Sequence, residues 1–95
     1  MQPLPKPNTH QCPICGVALA YVPRYPRYVC APCAERTVDK NGLRVKFFNL
    51  SLSGGVGGQY ADSGAPYDAH ECFIDGIACW ADEAKFGGIV VEVVA

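Results

Sequence analysis

Cys12-Pro13-Ile14-Cys15-Gly16 and Cys30-Ala31-Pro32-Cys33 are the stretches from which the fold is read, because they set four thiols in the spacing C-x2-C-x14-C-x2-C. Two residues between cysteines let one tight turn aim both sulfurs at a single ion, and the following Gly16 can take a positive φ that a closed turn favours. The intervening residues suffice for a short hairpin that returns the chain to the same ion. Residues 17–22 and 28–30 are its expected arms and residues 23–27 its tip. Four thiolates leave a tetrahedral ion no open position, so the spacing predicts one structural zinc ion held by Cys12, Cys15, Cys30 and Cys33.

Three other readings of these thiols compete with zinc. Buried free thiols do not explain two matched pairs, and neither pair follows the strand-then-helix pattern of a thioredoxin-like redox motif. Iron is the nearest competitor, since the first knuckle looks like half of a rubredoxin site. The second pair lacks the closing glycine and the spacing is short, which favours zinc.

After the second pair the sequence reads as a helix over residues 34–40. Pro32 suits the first turn, no breaker follows, and Asn41-Gly42 is a stop. Glu35 near the start and Lys40 near the end complement the helix dipole. On Cys12, Cys15, Gly16, Cys30 and Cys33, residues 11–42 resemble the treble-clef class of zinc fingers, with a zinc ribbon as the nearest mainly β alternative. The resemblance implies a zinc-held platform for binding proteins or nucleic acid. It departs from DNA-reading members, because a strand-like segment and no long basic tail follows the helix.

Residues 1–11 carry Pro3, Pro5 and Pro7 on alternate positions and read as an extended, mobile arm. Residues 43–52 alternate as a strand that ends in the glycine cluster Gly54, Gly55, Gly57 and Gly58, read as a flexible loop. That cluster lacks the lysine and helix of a phosphate loop. Residues 59–66 read as an irregular strand. Residues 71–80 read as a hairpin, because Cys72-Phe73-Ile74 and Ile77-Ala78-Cys79 flank Asp75-Gly76, a pair suited to a type I′ turn. Residues 81–86 are expected to make a turn of helix and residues 89–94 a β-branched final strand. The expected fold is α+β: a treble-clef-like module over residues 12–42 and a short antiparallel sheet over residues 43–95, all in one domain.

At 95 residues the chain buries roughly two-thirds of its unfolded surface, so a metal staple matters to its stability. No run resembles a membrane span, an export signal or a lipidation site, so the expectation is a cytoplasmic protein without membrane contact. The net charge of −1 hides an asymmetry. Residues 1–46 hold seven basic residues against Glu35 and Asp39, a net of +5, and residues 47–95 hold Lys85 against seven acidic residues, a net of −6. Either a partner meets these surfaces or the two halves face each other.

Cys72 and Cys79 fall opposite each other across the expected hairpin. Buried thiols are the leading reading, followed by a disulfide or redox pair, then a second metal site completed by His70 and His10. A cysteine-based enzyme with His70 as base ranks last, and the order and spacing do not fit a zinc deaminase. The tip Arg24-Tyr25-Pro26-Arg27-Tyr28 interleaves cations and aromatics, with Tyr21 and Arg36 nearby. Arg24, Tyr25, Arg27 and Tyr28 are therefore the expected contact surface. The function read from these features is a non-catalytic zinc-binding module that recognises another protein. Single-stranded nucleic acid is the second candidate partner, bound through phosphate contacts and base stacking, and the final strand is a candidate edge for a homodimer.

Overall fold

The computed structural model describes residues 9–50, 55–84 and 88–94. The chain forms β1 (Thr9–Gln11), β2 (Ala18–Ala20), one helical turn α1 (Ala31–Ala34), β3 (Val45–Asn49), β4 (Val56–Tyr60), β5 (Pro66–Tyr67), β6 (Glu71–Ile74), β7 (Ile77–Glu83) and β8 (Ile89–Val93). These strands make three antiparallel sheets, β1-β2, β3-β4-β5 and β6-β7-β8.

The architecture is nearly all sheet, which overturns the α+β expectation with its treble clef. The helix expected over residues 34–40 ends at Ala34. Thr37 and Val38 are β-branched and stiff at χ1, and Ser, Thr and Asp side chains compete with helical hydrogen bonds. Here Thr37 Oγ1 donates to Ala34 O at 2.6 Å, and the Asp39 carboxylate accepts from the N–H groups of Asn41 and Leu43. Val38 joins a sheet instead, exchanging hydrogen bonds of 2.9 Å each way with Phe73. Tertiary pairing overrides a weak helical preference.

The expected hairpin between residues 17–22 and 28–30 is also corrected. β2 pairs with β1, in the register Thr9↔Ala20 to Gln11↔Ala18. The first cysteine pair is itself the loop of this hairpin, closed by Cys12 N–H on Val17 O at 2.8 Å and by Gly16 at φ 83. The supposed arm therefore contributes a strand at residues 9–11, and residues 1–8 lie outside the described residues.

The β6–β7 hairpin forms as read. Asp75 and Gly76 have φ of 52 and 80, the paired positive values of a type I′ turn, and Cys72 sits directly opposite Cys79. β7 then continues through Ala81, Asp82 and Glu83, where a helical turn was expected, because β8 supplies partners as far as Glu83↔Ile89. The remainder of that expected turn, residues 85 and 86, lies outside the described residues.

Gly57 and Gly58, read as part of a loop, belong to β4 and face Phe48 and Phe47 across the ladder. A Cβ on Gly57 would come within 2.6 Å of Leu50 Cδ2 and 3.0 Å of Phe48 Cε2, and one on Gly58 within 2.9 Å of Tyr67 O. The glycines are strand residues that make room for β3 aromatics. Of the loop reading, residues 53 and 54 lie outside the described residues, as do residues 51 and 52 of the expected longer strand.

The cysteine-bearing segments flank the β6-β7-β8 sheet on both edges. On the β8 edge Val29 N–H donates to Val91 O at 2.9 Å and Val93 N–H to Arg27 O at 3.2 Å; on the β6 edge lies Val38. Residues 91 and 93, on the strand proposed for homodimer pairing, are thus already bonded to residues 27–29. One buried cluster joins Cys12, Cys30 and Cys33 to Cys72, Ile74, Cys79, Ala81, Val91 and Val93.

Candidate metal centre

Each ligand candidate is placed by a short local device. Cys12 opens the β1–β2 loop and Cys15 lies within it. Cys30 occupies the N-cap of α1 in extended conformation (φ −70, ψ 161), and Cys33 lies within that turn, with Pro32 where its missing N–H costs nothing. The turn closes by Ala34 N–H on Cys30 O at 3.0 Å.

The four sulfurs converge within 4.8 Å of one another. A tetrahedron of zinc–sulfur bonds of about 2.3 Å has edges of about 3.8 Å. Cys12 Sγ lies 3.9 Å from Cys33 Sγ, and Cys15 Sγ lies 3.6 Å from Cys30 Sγ. These separations fit a shared ion and are far beyond the length of about 2.05 Å that a disulfide needs. All six cysteines are free thiols.

Electrostatics separate the ligands. Burial raises the Cys12 thiol, yet backbone N–H groups of Cys15, Cys30 and Ile14 outweigh it and bring the value down to about 6. Ile14 N and Cys30 N lie 3.5 and 3.4 Å from Cys12 Sγ. Burial pushes Cys33 up to about 12, reinforced by its three neighbouring thiols and by the Cys12 charge. Backbone donors thus favour the Cys12 thiolate, whereas burial and the neighbouring sulfurs oppose ionisation of Cys33. Three ligands are buried and Cys15 is exposed.

The other sequence candidates are distributed as follows. Cys72 and Cys79 are fully buried and face each other. Burial, with the nearby Cys79 and Glu71 charges, pushes Cys72 up to about 12, and burial raises Cys79 also. His70 turns away from them: Nδ1 lies 2.7 Å from Ala81 O and the ring stacks on Trp80. His10 Nε2 contacts Tyr28 O at 3.2 Å and its ring packs edge-on against Tyr28, centroids 4.3 Å apart. The four-cysteine group is the one metal-binding constellation among the described residues.

At the tip, Arg24 and Arg27 are exposed, whereas Tyr25 and Tyr28 are half-buried. Tyr28 also donates its hydroxyl to Ala20 O, and Arg27 N–H donates to Glu92 Oε2 at 3.2 Å. Arg36, grouped with the tip in sequence, lies instead beside Cys33 and Asp75. Asp39 was missed altogether. It is a buried carboxylate that accepts from Asn41 N, Leu43 N and, at 2.9 Å, Tyr60 Oη. These bonds, with the Leu43 N–H foremost, hold its pKa below the ordinary aspartate value. Asp39-Lys40-Asn41-Gly42 was its available signal, an Asx turn rather than a helix stop.

Against known protein families, curated proteins and solved structures the chain has no match. No helix of the described residues is long and apolar enough to cross a membrane.

Proposed function

We propose that the chain is a small zinc protein whose four-cysteine site is structural and whose surface recognises another protein. The convergence of four sulfurs within 4.8 Å of one another carries the reading. Four thiolates complete the coordination of zinc and leave no position for a substrate, so the role is non-catalytic. Thiolates survive in a reducing compartment, which favours the cytoplasm.

Recognition of a protein is supported by what stays exposed. Tyr21, Phe48 and Trp80 each keep about two-fifths or more of their surface in water (44%, 41% and 45%). Aromatic and arginine anchors of this kind suit protein interfaces. Arg24 and Arg27 are exposed at the tip, and the half-buried Tyr25 and Tyr28 act as its support. With the Tyr28 ring engaged by His10, base stacking loses one platform, so a protein partner ranks ahead of single-stranded nucleic acid.

The metal half is tested by elemental analysis with native mass spectrometry of the full chain. One zinc per chain is expected; well under one, or a coloured iron protein, defeats it. The partner half is tested by comparing capture from the native host by the parent chain and by Arg24→Ala plus Arg27→Ala. A specific partner lost in the variant is expected. Salt-sensitive binding to single-stranded RNA or DNA without any protein partner would favour nucleic acid.

A further inference from the structure

Arg36 follows Cys33 by three residues and stands on the turn after α1. Its Nη2 lies 3.7 Å from Cys33 Sγ and 2.7 Å from Asp75 Oδ2. The cysteine segment thereby reaches the tip of the β6–β7 hairpin, 39 residues on. Asp75 occupies a turn position at φ 52 where Asn or Gly serves equally well, so the turn itself does not call for a negative charge. Arg36 and Asp75 form the one ion pair between side chains found among the described residues.

We infer that Arg36 is a positioning residue for the metal centre, donating to the Cys33 thiolate while Asp75 holds its guanidinium in place. This rests on the four-cysteine reading above. Four thiolates around a divalent ion carry a net charge of −2, and a guanidinium at one sulfur offsets part of it. Cys12 receives backbone N–H donors; Arg36 supplies a charged side-chain donor to Cys33. Outer partners of this type orient ligands and tune the metal they hold. The hairpin of the C-terminal sheet therefore contributes to the electrostatics of a metal ligand in the N-terminal segment. Both side chains are about half exposed, at 48% and 54%, so the pair adds little to folding and its loss is read at the metal.

The test uses the full chain with cobalt(II) as a spectroscopic stand-in and zinc competition against a chromogenic chelator. Arg36→Gln is expected to shift the sulfur-to-cobalt charge-transfer band and weaken zinc binding by on the order of tenfold, the low end for outer-shell changes. Asp75→Asn, which keeps the turn, is expected to move both readouts the same way by less. Arg36→Lys is expected to recover part of the affinity through its charge. Band and affinity unchanged in Arg36→Gln, with one metal still bound, overturn the inference and leave the four-cysteine reading intact. A lysine variant no better than glutamine overturns it as well. A parent chain with no tetrahedral thiolate spectrum overturns both.

Discussion

Six identical side chains meet two opposite environments in this molecule. Around Cys12, Cys15, Cys30 and Cys33 the chain is built from turns, N–H groups point at sulfur, and one thiol is brought down to about 6. Around Cys72 and Cys79 the chain is regular sheet, and burial pushes Cys72 up to about 12. The first set brings four sulfurs to one point, with backbone donors on Cys12, as a shared ion requires; the second behaves as small apolar residues filling a core. The difference lies in the backbone around them. Three backbone N–H groups act on Cys12 and outweigh its burial, whereas Cys79 has only that of Ile74 and burial wins.

The two regions are nonetheless one structure. Residues 27–29 and 38 complete the edges of the β6-β7-β8 sheet, and Cys12, Cys30 and Cys33 share its core. The largest expected effect tests that dependence. Structural zinc sites are worth on the order of 10 kcal/mol, comparable to the whole stability of a small domain. Stripping the metal with a strong chelator is therefore expected to abolish cooperative unfolding followed by circular dichroism. In the loaded protein Cys72 and Cys79 are expected to resist iodoacetamide, and after chelation all six cysteines are expected to react, counted by mass spectrometry. Only four reacting would show that the sheet survives alone.

The converse perturbation starts in the sheet. Ile74 is fully buried, and Ile74→Ala is expected to cost about 2–5 kcal/mol in denaturant unfolding. Zinc stoichiometry is expected to stay at one per chain, and metal loss in this variant would mean that the centre depends on the sheet as well.

A smaller effect belongs to Asp39, which follows the edge residue Val38 and is bonded to Tyr60 of β4. Its folded pKa is lowered, so its stabilisation is present above the ordinary carboxylate range and is lost as pH falls through the lowered value. Asp39→Asn keeps the Asx turn and removes the charge that Tyr60 faces. Its denaturant midpoint is expected to lie below that of the parent at neutral pH, with the gap closing in acid. A constant gap would assign the effect to geometry instead of charge.

The smallest effect is expected at the tip. Arg24→Ala plus Arg27→Ala is expected to change stability by under about 0.5 kcal/mol, as surface substitutions do, with zinc content unchanged. A large loss of stability would make the tip part of the scaffold.

Much of the metal centre was legible because cysteine spacing is a local code. The positive φ of Gly16 and the type I′ pair Asp75-Gly76 are local too, and both read correctly. Residues 34–40 did not, since a segment without breakers is helical only if nothing outside offers its backbone a better partner. Phe73 does so for Val38, and it stands 35 positions further along the chain. Gly57 and Gly58 read as a loop because the aromatics that need their empty space lie on another strand.

The pairing of the four clustered cysteines, the β6–β7 hairpin and the opposition of Cys72 to Cys79 were thus legible in the chain, each resting on a turn a few residues long. Contacts between distant segments set the rest: the nearly all-sheet architecture, the pairing of β1 with β2, and the place of Arg36 between Cys33 and Asp75. Those features depend on hydrogen bonds and burial between distant segments, and no local pattern records which distant segment will arrive.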